Sequence, residues 1–308
     1  MTAHSVRAIR AVEIGVSDLE TAARFFTDVW NLEPVTRGQD SIDFRGTSGF
    51  RHILTVRRAP RLVVERIVLD AADRGSVEAI YERVRGAGAA VDGQPRRLAW
   101  SGGAYGFGCR DPEGRGLAVV CDIADHSDSA DRPDRPRKIS HVNLNCANND
   151  ATFAFMRSAL GFRLSDQTKQ FRFLNCNRDH HSMVIGFNQD ATLNHIAFEM
   201  PESDSVMRGI GRMRDHGYPV EWGPGRHGPG DNVFAYFCGP EELPLEYTSE
   251  MEQVGEDHNP RMPEHWVWPP GRVDQWGITP GPSARVKRAQ SLFRCSPDGY
   301  RLDRSIAR

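Results

Sequence analysis

Hydrophobic and polar positions alternate with a period of two from Val12 through Ile14 to Val16, as in a strand whose two faces meet different surroundings. The rhythm then changes. Ser17 or Asp18 stands where a helix cap belongs, and Phe25, Phe26 and Val29 form an apolar stripe, which predicts a helix through about Val29. Alternation resumes at Ile42, Phe44, Ile53 and Thr55, so the stretch reads strand, helix, then several strands. The same order recurs from Leu62 to about Asp122, from Ile139 to Phe187 and from Leu193 to Tyr247. The expected fold class is α+β, with four β-α-β-β-β modules paired into two domains. Each domain is expected to be a curved mixed sheet forming an open barrel around a cavity.

Residues 124–138, rich in Asp, Arg, Ser and Pro and without apolar rhythm, read as a solvated linker. It separates an N-terminal domain at 1–123 from a C-terminal domain at 139–250. In residues 251–308 the module pattern stops. Trp266, Trp268 and Trp276 lie among prolines there, and so much aromatic surface is expected to pack on the C-terminal domain. Arg285, Lys287, Arg288, Arg294, Arg301, Arg304 and Arg308 follow. They read as a solvated or oligomer-contacting tail, because no regularly spaced aromatics accompany them for stacking on bases.

A chain of 308 residues suits two domains of about 100–150 residues each. A net charge of −2 creates no field that would gather nucleic acid or an anionic membrane, so neither is an expected partner. No apolar stretch approaches the roughly 20 residues that span a bilayer, and the start, Met1 to Arg7, lacks a signal-peptide core. A cytoplasmic location is the expectation. Cys109, Cys121, Cys146, Cys176, Cys238 and Cys295 form no C-x-x-C pair and read as reduced thiols. Sheet edges and the aromatic tail suggest a homo-oligomer.

The two halves repeat one another. Glu65-Arg66-Ile67-Val68-Leu69-Asp70 runs parallel to Asn194-His195-Ile196-Ala197-Phe198-Glu199, with Gly88 answering Gly217 at the same offset of 129. Asp111-Pro112-Glu113-Gly114 before Leu117-Ala118-Val119 answers Gly239-Pro240-Glu241-Glu242 before Leu245-Glu246-Tyr247 with a slip of one residue. The repeat contains its own control: His141, His195 and Glu246 are replaced by Ala11, Arg66 and Ala118. Two imidazoles and a carboxylate, one from each of three strands, can converge inside a curved sheet and leave the far side of a metal open. That arrangement suits Fe(II), with Mn(II) an alternative. Taken singly, each histidine would be an ordinary core or surface residue and the glutamate an ordinary salt-bridge partner. An unneutralised glutamate between Leu245 and Tyr247 is costly to bury, and a cation would offset that cost.

These strands resemble the type I extradiol catechol dioxygenases of the vicinal oxygen chelate superfamily over roughly residues 7–250. Ile139-Ser140-His141-Val142, Leu193-Asn194-His195-Ile196-Ala197-Phe198 and Leu245-Glu246-Tyr247 are similar to that family's three ligand strands. Arg178-Asp179-His180-His181-Ser182-Met183 resembles its motif for a second-sphere acid/base histidine, which places that role on His181. Gly225-Arg226-His227 with Tyr236 resembles its substrate-side loop. The resemblance implies a metal-free N-terminal copy, a catechol chelating Fe(II) with O2 as co-substrate, and ring opening beside the diol to a muconic semialdehyde-like product in aromatic catabolism. One departure stands out: Gly228-Pro229-Gly230 intervenes after His227 where the family often has polar residues, and this bears on pocket shape. Asn143 shares the strand face of His141 and is a further candidate for lining the pocket, as is Phe173 for its apolar wall. His126, His216, His258 and His265 read as solvated. The competing readings are a glyoxalase-like metal-dependent isomerase or transferase, which needs a further ligand, and a non-catalytic protein that binds an aromatic ligand.

Overall fold

The computed structural model describes residues 5–302. Residues 1–4, and with them most of the start read above, lie outside the described residues, as do Arg304 and Arg308 of the basic tail. The first module comprises β1 (Val6–Val16), α1 (Leu19–Arg24), β2 (Glu33–Arg37), β3 (Ser41–Arg45) and β4 (Leu54–Arg58). The second comprises β5 (Val63–Ala71), α2 (Arg74–Gly86), β6 (Arg96–Arg97), β7 (Tyr105–Arg110) and β8 (Gly116–Cys121). The third is β9 (Ile139–Cys146), α3 (Asn149–Ser158), β10 (Arg163–Gln167), β11 (Phe171–Asn175) and β12 (Met183–Phe187). The fourth is β13 (Thr192–Glu199), α4 (Ser203–Asp215), β14 (Trp222–Arg226), β15 (Val233–Cys238) and β16 (Pro244–Ser249). The module order is the one that the hydrophobic pattern predicts. Asp18 caps α1 by accepting from the Thr21 amide at 3.0 Å, and the helix then loosens into a π-helical turn over Phe25–Val29.

Each pair of modules forms one eight-stranded mixed sheet, in the orders β2-β3-β4-β1-β5-β8-β7-β6 and β10-β11-β12-β9-β13-β16-β15-β14. In each, the first strands of two modules lie antiparallel at the centre, and parallel pairing with the last strand of each module flanks them. This topology brings β9, β13 and β16 side by side, far apart as they are in sequence. Among the described residues no helix is long and apolar enough to cross a membrane. No cysteine is disulfide-bonded, and Cys146 accepts hydrogen bonds from buried Arg115.

Trp30 ties the two halves together. It is fully buried, stacks on Tyr247 at 3.8 Å between ring centres, and meets Phe198 and Phe237 edge-on. The Tyr247 hydroxyl donates to the Trp30 carbonyl at 3.0 Å, and Arg212 donates to the Val29 carbonyl at 2.7 Å. Because Tyr247 adjoins Glu246, this contact also braces a strand of the candidate site. Trp30→Ala is expected to lower stability by about 3–5 kcal/mol, the range for emptying a well-packed aromatic site. Urea unfolding checks this, and a loss under 1 kcal/mol would show that the junction repacks freely.

The linker is exposed, yet it is held at several points. Thr47 and Ser48 donate to the carbonyls of Pro136 and Arg137, and Asp125 pairs with Arg10. The tail does more than cover the C-terminal half. Residues Gln253 and Arg261 bridge to the third module, whereas Cys295 bridges to Val64 and Tyr300 lies against Gly108 of the N-terminal sheet. Beyond the expected packing on the C-terminal domain, the chain after α5 (Ala284–Ala289) returns to the first sheet.

Candidate metal centre

Ala197 on β13 pairs with His141 of β9 on one side and with Glu246 of β16 on the other, while His195 lies two residues earlier on the same face. The pleat therefore points all three side chains to one spot. All three are buried. In the N-terminal sheet the corresponding central residue, Val68, pairs with Ala11 and Ala118, and Arg66 lies two residues earlier. There Ala11, Val68 and Ala118 pack with Leu302 of the tail in a small apolar cluster, and the buried Arg66 pairs with Glu13 at 3.2 Å. The copy lacks all three donors and carries its own cation in Arg66.

His141 Nε2 and His195 Nε2 lie 3.1 Å apart, and Glu246 Oε2 is 3.2 Å from the first and 2.9 Å from the second. Donors about 2.1 Å from a common ion at right angles stand about 3.0 Å apart, against about 3.4 Å for tetrahedral angles. The three separations fit one triangular face of an octahedron. Protonation agrees. Asn194 donates its amide to Asn145 and so turns its carbonyl oxygen to His195 Nδ1 at 2.8 Å, which puts the imidazole proton on Nδ1 and the electron pair on Nε2. Burial alone would raise the Glu246 carboxyl, but the facing His141 and His195 rings outweigh it and hold the group below the ordinary carboxylate range. Burial lowers His195, and the glutamate only partly opposes this. Three buried donor atoms thus converge, each within 3.2 Å of the other two. A divalent cation is the group these residues fit.

Beside the triad opens a cavity of about 590 Å³. The structure places His141, His195, His181, His227, Tyr236, Asn143 and Phe173 on its lining, so it brings together the residues singled out in the sequence. The His181 ring meets His141 edge-on at 4.4 Å between centres, and Phe173 packs against His181 at 5.2 Å. Burial and the surrounding imidazoles hold His181 well below its ordinary value. His227 Nε2 and the Tyr236 hydroxyl are 3.1 Å apart. Burial brings His227 down to about 4, and burial followed by the Glu246 charge raises Tyr236 well above its ordinary value. A protonated phenol thus stands beside a neutral imidazole. The buried Asn143 Oδ1 has no hydrogen-bond partner.

The glycine insertion after His227 has a steric reason. Gly230 has φ +84°, and a Cβ there would lie 2.8 Å from His181 Cε1, while one on Gly228 would lie 2.6 Å from the Trp268 ring. The loop lets an imidazole and a tail aromatic approach its backbone closely. Other lining residues escaped the pattern reading. Trp222 stacks on Tyr236, and Trp266, Trp268 and Arg272 reach the cavity from the tail. No periodicity marks them, because Trp222 opens a short strand rich in glycine and proline and the other three belong to irregular chain. His258 is also corrected. It is half-buried and contacts the Ser165 carbonyl at 2.9 Å, within a second cluster of Asp166, His180 and His258. That cluster is already neutralised, since Arg261 lies 2.8 Å from Asp166.

The chain belongs to the Glyoxalase/Bleomycin resistance protein/Dioxygenase superfamily, whose family model matches residues 8–119 and 138–247. Among individual relatives, metapyrocatechase 2 of Cupriavidus necator is 30% identical over 150 residues, which is 46% of this chain and 44% of that protein. The chain thus spans less than half the length of that relative. The manganese-dependent 2,3-dihydroxybiphenyl 1,2-dioxygenase of Geobacillus genomosp. 3 is 24% identical over 72% of this chain and 78% of its own length. Among solved structures, the Mn(II)-bound glyoxalase from Novosphingobium aromaticivorans is 36% identical. It superposes with a TM-score of 0.86 over 91% of this chain and 94% of that one.

Proposed function

We propose that this protein is an extradiol ring-cleaving dioxygenase that inserts both atoms of O2 into a catechol-type aromatic and opens the ring beside the diol. The observation that carries the reading is the convergence of His141 Nε2, His195 Nε2 and Glu246 Oε2 on one face of a cation position beside a cavity large enough for an aromatic. A relative named metapyrocatechase and another named 2,3-dihydroxybiphenyl 1,2-dioxygenase support it. We assign Fe(II) as the working ion. Mn(II) is the alternative, because both ions accept this donor set, and a manganese-dependent relative and a Mn(II)-bound neighbour support it.

When bound, the ion supplies Lewis acidity that makes the catechol hydroxyls easier to deprotonate and a redox-active centre at which substrate and O2 can meet. The protein's residues do the rest. His141, His195 and Glu246 would hold the ion through the three converging donor atoms. His181, neutral in its buried setting, takes a proton from the substrate hydroxyl and returns it as the ring opens. Tyr236 donates toward a substrate oxygen while His227 holds the phenol in place, and Asn143 offers its free Oδ1 as an acceptor for a hydroxyl. Phe173, Trp222 and the tail tryptophans confine the ring and exclude water. The glyoxalase-like reading asks for a further protein ligand. Among the described residues the metal-type cluster at this cavity contains three donors, which favours the dioxygenase.

The test is anaerobic loading with Fe(II) or Mn(II), followed by oxygen uptake and product colour across a panel of substituted catechols. We expect metal-dependent uptake with at least one of them. Protein that elemental analysis shows to be fully loaded, yet that consumes no oxygen with any, rejects the reading.

A further inference from the structure

Behind His181, on the side away from the metal position, lies a buried chain of groups that the reaction above does not use. His180 Nδ1 is 2.9 Å from His181 Nδ1, and His180 Nε2 is 2.7 Å from Asp166 Oδ2. Asp166 and His180 have no solvent exposure. The segment after β16 supports both: the Arg261 amide donates to Asp166 Oδ1 at 2.8 Å, and the Glu252 carbonyl accepts from the His180 amide at 2.8 Å. His258 also faces this group, with its Nε2 3.6 Å from Asp166 Oδ1, and Phe173 covers both imidazoles.

The contacts fix where the protons sit. Two ring nitrogens at 2.9 Å must share one proton, since two electron pairs or two N–H groups would repel. Asp166, ionised by its pairing with Arg261, accepts from His180 Nε2–H. In a neutral His180 the other nitrogen, Nδ1, then carries an electron pair. The shared proton therefore belongs to His181 Nδ1, and His181 Nε2 is left with a free pair on the cavity side.

We propose that Asp166 and His180 are positioning residues for the ring-cleaving reaction: they set the tautomer of His181 and hold a proton for it. The step balances as follows. The substrate O–H bond breaks and oxygen keeps the bonding pair, while the proton forms an N–H bond at His181 Nε2. The Nδ1 proton of His181 passes to His180 Nδ1, and the positive charge comes to rest on His180 against the Asp166 carboxylate. Return of the proton runs the same steps backwards.

The inference rests on the dioxygenase reading for its kinetics, so its test has a second readout that does not need turnover. Nitrogen-15 histidine spectra of the full chain loaded with diamagnetic Zn(II) are expected to show His181 protonated at Nδ1 and His180 at Nε2. A His181 protonated at Nε2 instead would overturn the assignment. In His180→Phe, His181 loses its acceptor and is expected to shift to the Nε2–H form. In His180→Gln the side-chain carbonyl can still accept, and the Nδ1–H form should persist. With the working ion restored, His180→Phe and Asp166→Asn are expected to lose about 10²-fold in kcat, the lower end for a proton-transfer group. Their substrate KM and metal content should stay within twofold of the parent, and the acid limb of the pH–kcat profile should shift. A kcat and profile equal to the parent's in both variants would also overturn the proposal. A parent protein that cleaves no catechol rejects the dioxygenase reading and leaves the spectra to decide the tautomer.

Discussion

Glu246→Leu is expected to raise the melting temperature of the metal-free protein and to remove the stabilisation that a divalent ion confers on the parent. Without an ion, a fully buried carboxylate is kept from water with imidazole nitrogens at 2.9 and 3.2 Å as its close polar neighbours. Leucine fills a similar volume beside Ala197 and Tyr236, its neighbours across the sheet, and brings no charge. Replacing buried charged groups by well-packed apolar ones often stabilises by about 1–4 kcal/mol. With an ion the balance reverses, because a ligand that binds only the folded state stabilises it increasingly as its concentration rises above its Kd. The variant has two of three ligands and should lose more affinity than the roughly 10–100-fold typical of losing an outer-shell partner. Thermal scans in chelator and in excess metal give both numbers. Metal-free Glu246→Leu melting below the parent would mean that the carboxylate is well satisfied without an ion, which would end the case for a metal centre.

The second large effect falls on His181. His181→Asn keeps a polar side chain between His141, Phe173 and Gly230 but cannot carry a proton between substrate and His180. We expect kcat to fall by about 10²–10⁴-fold, the usual contribution of a positioned acid or base. Metal content should not change, since His181 contributes no atom to the donor triangle. Single-turnover oxygen uptake with metal analysis of the same sample separates the two. An unchanged kcat would remove the acid/base role from this residue, and lost metal would make it part of the metal site instead.

Much of this was legible in the chain. Strand and helix periods define the four modules because each element buries one face. The offset of 129 exposes the repeat because both halves satisfy the same packing. His141, His195 and Glu246 stood out for the opposite reason: they break a repeat that packing alone would have preserved. His181, His227 and Tyr236 came from motif resemblance, and the geometry places all three on the cavity. Asp166, Arg261 and His258 were not legible. Asp166 precedes His258 by 92 residues and Arg261 by 95, and no period or motif links them.

By itself, then, the sequence determined the modules, their pairing and which half keeps the metal donors, because these are written in local periodicity and in comparison of one half with the other. Only the tertiary structure decided that His141 and Glu246 flank Ala197, that the tail returns to the first sheet, and that Asp166 and His180 stand behind His181. Those relations arise from strand pairing across the sheet and from irregular chain laid over it. Distances between such partners are set by the fold and leave no trace in the order of residues.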